Sequence, residues 1–214
     1  RITLIRQHMN NPHILGTERI GKLLVQYSIP AIISMTIVSL YNIIDSIFIG
    51  HGVGPMAIAG LAITFPLMNL TAAFCNLVSA GGSTISSIRL GQKDMEGVNK
   101  VLGNTLMLCL INAVVFGGLT FIFLDAILRF FGASGETLPY ARDFMQVILL
   151  GTPITFTMIG LNHVMRATGH PKKAMLTSLT TVVCNIILAP IFIFQFGWGI
   201  RGAALATVIS QFIG

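Results

Sequence analysis

The sequence predicts an all-α protein that lives in a bilayer, a polytopic bundle of six membrane-crossing helices. Three observations carry this. The chain is 54% hydrophobic and only 9% charged, whereas a water-soluble domain carries about a quarter charged residues. Several of its apolar runs reach the ~20 residues that a crossing helix needs. Short joints containing glycine, proline or charge separate those runs.

The first run covers residues 23–49, after an N-terminal arm over 1–22, and ends at "GHGVGP". The second covers 56–90 and ends at "GQKDMEG"; the third covers 98–124 and ends at "FGASGETLP". The fourth, 138–164, is followed by "ATGHPKK", and the fifth, 174–194, by "FGWGIRG". A sixth run starts at 200 and reaches only to 214. That is short of a full crossing, so the last helix is expected to be truncated and the chain to be part of a longer protein.

Prolines fall inside these runs at Pro30, Pro66, Pro153 and Pro190. Each removes one backbone bond and favours a bend. A fixed kink is the plain structural reading. At Pro30 a second reading stands beside it: a bend that changes during a working cycle.

The net charge of +6 is explained by topology rather than by nucleic acid. Arg1, Arg6, Arg19 and Lys22 precede the first run. Arg89, Lys93 and Lys100 flank the second joint, and Arg166, Lys172 and Lys173 flank the fourth. Only Arg129, Arg142 and Arg201 fall at the other end. Basic residues collect on the cytoplasmic side of short loops, so the N-terminus is expected to be cytoplasmic, in a multi-pass protein of the plasma membrane.

Cys75, Cys109 and Cys184 all lie in apolar segments, as small packing residues do, and no Cys/His spacing suggests zinc. No cofactor is expected. Hydrolysis is disfavoured too. An aspartate enzyme needs paired carboxylates and a zinc enzyme an H-E-x-x-H spacing, whereas His163 stands without partners.

One acid interrupts the first run. "YNIIDSIFIGHGVG" places Asp45 in a stretch with no other charge from 23 to 49. A charge at the bilayer centre costs at least ~2.5–3.5 kcal/mol, so such a group faces protein or a wet cavity. Tyr41 and Asn42, four and three residues earlier, are expected to share its face. In the fifth run Thr177, Thr181 and Asn185 form a polar stripe whose next position is Ala189; the sixth offers Ala203, Thr207, Ser210 and Gln211. Most such stripes are helix-packing surface. Asp45, Asn185 and Thr207 are the candidates for one convergent site. A carboxylate there could carry H⁺, or with amide and hydroxyl oxygens hold Na⁺.

The stretch "LGTERIGKLLVQYSIPAIISMTIVSLYNIIDSIFIGHGVGPMAIAGLAITFP" resembles the opening of multidrug and toxic compound extrusion (MATE) transporters. "ATGHPKKAMLTSLTTVVCNIIL" and "GIRGAALATVISQ" are similar to later parts of the same lobe. The resemblance implies a twelve-helix, two-lobe antiporter that expels lipophilic, often cationic compounds in exchange for H⁺ or Na⁺, with this chain as its N-terminal lobe. It also implies that Pro30 bends the first helix and that Asp45, Asn185 and Thr207 form the cation site. The family often has an acid four residues after that asparagine, where this sequence has Ala189. A lipid-linked oligosaccharide flippase of the same superfamily is the alternative, and it would need a basic cavity.

Overall fold

A computed structural model describes residues 20–214, apart from the side chains of Lys22, Leu23 and Gln26. The arm with Arg1, Arg6 and Arg19 lies outside the described residues. Every element within them is helical. The order is α1 (Ile20–Gly52), α2 (Pro55–Gly91), α3 (Met95–Ile122), α4 (Leu124–Phe130), α5 (Leu138–Ala167), α6 (Pro171–Pro190) and α7 (Gly199–Ile213). A π-turn, Ile191–Gln195, follows α6.

Local chemistry sets the helix starts. Pro55 and Pro171 occupy first-turn positions, where the missing N–H costs nothing. Asp94 caps α3 by accepting from the Gly97 N–H at 2.8 Å, and Arg89 from the end of α2 pairs with the same carboxylate at 3.2 Å. Five helices are long and apolar enough to cross a membrane; α7, at 15 residues, is shorter. Many large apolar side chains on their outer faces are exposed, Ile43, Leu77, Val114 and Leu150 among them. In water such a surface would be a liability, and against acyl chains it is neutral.

Helix α5 is the hub, packing on α2, α3 and α7, while α6 packs on both α7 and α1. The main core joins α2, α5 and α7 through Leu67, Met145, Leu149, Ala203 and Ala206. A smaller one joins α2, α3 and α5 through Cys75, Cys109 and Phe156. Cys75 and Cys109 are buried free thiols and Cys184 is a half-buried one.

Two runs differ from the expected spans. The third ends as a regular helix at Ile122, and the short α4 follows before the joint. Its Asp125 sits in the first turn, where an acid suits the helix dipole, and pairs with Arg142 of α5 at 3.3 Å. In the fifth, Pro190 ends the ordinary helical ladder and the chain widens, with Phe196 N–H bonding Ile191 C=O five residues back. Gly197, at φ 66°, then supplies the left-handed residue that lets the chain turn into α7.

Helices this close need small residues at their crossings. A Cβ on Gly60 of α2 would lie 2.9 Å from the Tyr140 Cβ and 3.1 Å from the Ala141 backbone nitrogen of α5. Backbone cannot yield as a side chain can. Gly60→Ala is expected to destabilise the folded protein by about 1–3 kcal/mol. Gly103→Ala, where a Cβ meets nothing within 4 Å, should be neutral or stabilising by up to ~1 kcal/mol. Thermal unfolding of both variants in detergent checks the contrast.

Candidate functional site

Three helices converge on one hydroxyl. Thr207, on α7, donates to the Ala203 carbonyl of its own helix at 3.1 Å. The Asn185 amide of α6 donates to the Thr207 oxygen at 3.1 Å, and the Tyr41 hydroxyl of α1 lies 3.1 Å from the same oxygen. A threonine hydroxyl has one proton and two lone pairs. The proton goes to Ala203, so Tyr41 and Asn185 are both donors and the oxygen is saturated.

Asp45 stands one helical turn beyond Tyr41 and is 7% exposed. Its Oδ1 is one of three buried side-chain polar atoms among the described residues without a hydrogen-bond partner, with the Ser86 and Ser210 hydroxyls. Most buried polar atoms are partnered, so an unpaired carboxylate oxygen inside an apolar bundle is an exception, and of these three side chains Asp45 alone can carry a charge. Ala189, one turn along α6 from Asn185, is fully buried and adds no oxygen.

Of the residues singled out from sequence, Tyr41, Asn185 and Thr207 are brought together, with Asp45 adjacent along α1. Asn42 is set apart from them. It is exposed, its amide donates to Val38 C=O at 3.0 Å, and it lines a shallow groove between α1 and α2 with His51 and Phe65. At 100° per residue Tyr41 falls about 40° from Asp45 and Asn42 about 60° on the opposite side, so only the tyrosine turns toward α7. Pro30 is buried in α1, and Ser34 donates back to its carbonyl at 2.8 Å.

A cleft of about 630 Å³ runs between α1, α5 and α6, with Gln211 of α7 closing one side. Tyr41 lines it toward the hydroxyl hub; His163 and Arg166 line it at the end where the α5–α6 joint lies. From sequence Arg166 counts only as a basic residue flanking that joint, and His163 stands without partners. Arg166 instead belongs to the last turn of α5, its Nε donating at 2.9 Å to Asn162 Oδ1. Asn162, buried and overlooked in sequence, donates in turn to Ala174 C=O at 2.8 Å and to the Thr177 hydroxyl at 2.9 Å. The readable signal was an asparagine four residues before an arginine near the end of the helix.

Removing the hub oxygen leaves two buried donors without an acceptor. Thr207→Val should destabilise the fold by about 1–3 kcal/mol. Tyr41→Phe should then cost less in the Thr207→Val background than in the natural one. A double-mutant cycle of detergent unfolding measures that coupling.

A family model described as MatE matches residues 30–191. The multidrug export protein MepA of Staphylococcus haemolyticus (strain JCSC1435) is 34% identical over 194 residues, 91% of this chain and 43% of its own. A crystal structure of MATE in the bent conformation superposes with a TM-score of 0.83 at 34% identity, over 89% of this chain and 42% of that one. A MATE structure in the straight conformation gives 0.82 at 33% identity, with the same coverage. The chain therefore spans about two fifths of the length of these relatives. It belongs to the MatE family of transporters, and its helices are those of the N-terminal lobe.

Proposed function

We propose that this chain is the N-terminal half of a secondary antiporter that exports lipophilic, often cationic compounds in exchange for a cation, with a second six-helix lobe completing the path. The observation that carries the reading is Asp45: a buried acid with an unpartnered oxygen, beside a hydrogen-bonded Tyr41–Thr207–Asn185 hub. The names of the relatives, multidrug export proteins and MATE transporters, support the cargo class. The N-terminus is taken as cytoplasmic. What supports it is the Lys/Arg count of the loops alone, since ion pairs occur at both ends, Arg89–Asp94 and Lys100–Glu96 at one and Arg142–Asp125 and Arg201–Asp143 at the other.

The coupling ion is argued from the hub. Na⁺ needs several hard oxygens with free lone pairs. Thr207 has none left, and Ala189 supplies no carboxylate where the family often has one. Holding Na⁺ here would break a hydrogen bond and leave the ion few ligands. A proton needs only the open oxygen of Asp45. The reading is therefore H⁺ coupling, with Tyr41 and Asn185 holding α1 and α6 around Asp45. Crossing 100 mV, that unit charge releases about 2.3 kcal/mol.

Pro30 would let α1 bend as access alternates, since the carbonyl four residues earlier has no N–H to accept. Solved relatives occur in a bent and a straight conformation, which supports a bistable lobe.

In everted vesicles containing the full-length protein, efflux of a fluorescent organic cation should follow an imposed proton gradient and be lost in Asp45→Asn at normal membrane insertion. Unchanged efflux would reduce Asp45 to a helix clamp. Isothermal titration should find no saturable sodium binding at millimolar concentration in the natural protein. Ala189→Asp should introduce it. Pro30→Ala should slow transport while leaving the protein folded.

A further inference from the structure

We propose that the Arg166 end of the α1–α5–α6 cleft is a binding site for the phosphate head of an anionic phospholipid, whose chain lies along the cleft. This goes beyond the export reading and does not rest on it.

The cleft has opposite characters at its two ends. Along its shaft the side chains are Met35, Val38, Met158 and Val182, flexible or branched hydrophobes suited to an acyl chain. The hydroxyls that line it are spent on their own helices. Ser34 donates to Pro30 C=O, Ser39 to Met35 C=O, Ser178 to Ala174 C=O and Thr181 to Thr177 C=O. Gln211 has its Oε1 taken by the Thr155 hydroxyl, and the imidazole and guanidinium stand together at one end, in His163 and Arg166, three residues apart on one face of α5.

Arg166 is held but not neutralised. Asn162 Oδ1 takes its Nε–H, and the two N–H groups of the Asn162 amide are held in turn by Ala174 C=O and the Thr177 hydroxyl. A guanidinium has five donors, so its terminal fork stays available. Among the described residues no acid lies within ion-pair distance of it: Asp94 is taken by Arg89 and Glu96 by Lys100 at that end. A fork oriented by its neighbour and lacking a carboxylate is built for a bidentate oxyanion, and phosphate matches its spacing.

The place argues for a lipid as the source. Arg166 is in the last turn of α5, beside the joint that carries His170 and Lys173, at the end where the basic residues gather. Basic pockets between membrane helices on that side hold anionic headgroups. A cationic drug would be repelled there. The hub lies farther in: Ser178, in contact with Asn162, is seven residues from Asn185 on α6, ~10 Å along the helix. A headgroup at Arg166 therefore leaves the hub untouched while its chain passes Tyr41.

The test uses the full-length protein in detergent, titrated with dioleoylphosphatidylglycerol, with dioleoylphosphatidylcholine, and with inorganic phosphate, read by native mass spectrometry and thermal shift. The glycerol lipid should bind about fivefold tighter or more than the choline lipid. Arg166→Gln, which keeps a donor for Asn162 and drops the charge, should bring the two lipids level. Arg166→Lys should keep part of the preference. Equal binding of the two lipids by the natural protein overturns the proposal whatever the variants do, and so does a preference that survives Arg166→Gln in a folded protein. A thermal shift from inorganic phosphate equal to that from the lipid would make the site one for a free anion and overturn the lipid assignment.

Discussion

Inside hydrocarbon there is no water to complete a hydrogen bond, so each polar atom that enters must be met by another from the protein or carry its desolvation cost, about 1–3 kcal/mol in measured cases. The bundle obeys this almost throughout. Its serine and threonine hydroxyls fold back onto carbonyls one turn earlier, as at Ser34, Thr71, Ser79 and Thr157. The hub at Thr207 is the same rule applied between helices. One oxygen gives its proton to α7 and takes one each from α1 and α6. Helix α1 has few other ties to the rest of the bundle beyond its packing on α6, so this hydroxyl fixes its rotation and thereby the direction of Asp45.

Against that background the exceptions gain meaning. Asp45 Oδ1 has no partner although the carboxylate is buried, while acids at the ends, Asp94, Asp125 and Asp143, are all engaged. Arg166 is the counterpart among the bases, oriented by an amide rather than by a carboxylate. The lobe thus keeps an uncompensated acid and an uncompensated base on separate levels, with Tyr41 between them.

The architecture was legible because hydropathy and loop chemistry dominate membrane sequences, and the polar exceptions stood out at once. Asp45 and Asn185 were recognisable as residues a lipid-facing helix does not carry, whereas Thr207 was one hydroxyl in a stripe of a kind that mostly packs helices. That Thr207 is the saturated centre of the group was not legible, since it depends on how three helices cross rather than on spacing in any one. Asn42 was misplaced because positions three and four residues before Asp45 both count as its neighbours on a helix, yet they lie on opposite sides of it around the helix axis. Arg166 and Asn162 were missed for another reason. At the margin of a span, a basic residue reads as loop charge, and only the fold shows that its side chain lies back along the bundle. The α4 interruption had a trace in Asp125 and Arg129, two charges where a crossing helix would have none.

The π-turn at the C-terminal end of α6 has a mechanical meaning of its own. Five residues from Ile191 to Gln195 wind more loosely than an ordinary turn, and the rings of Phe192, Phe196 and Trp198 close over it, 5.2–5.8 Å apart. Such a segment holds slack. It can tighten or loosen by a fraction of a turn while the tightly wound stretch that bears Asn185 keeps its phase. A displacement of the α6–α7 joint would thereby be taken up within the turn before it reached Asn185.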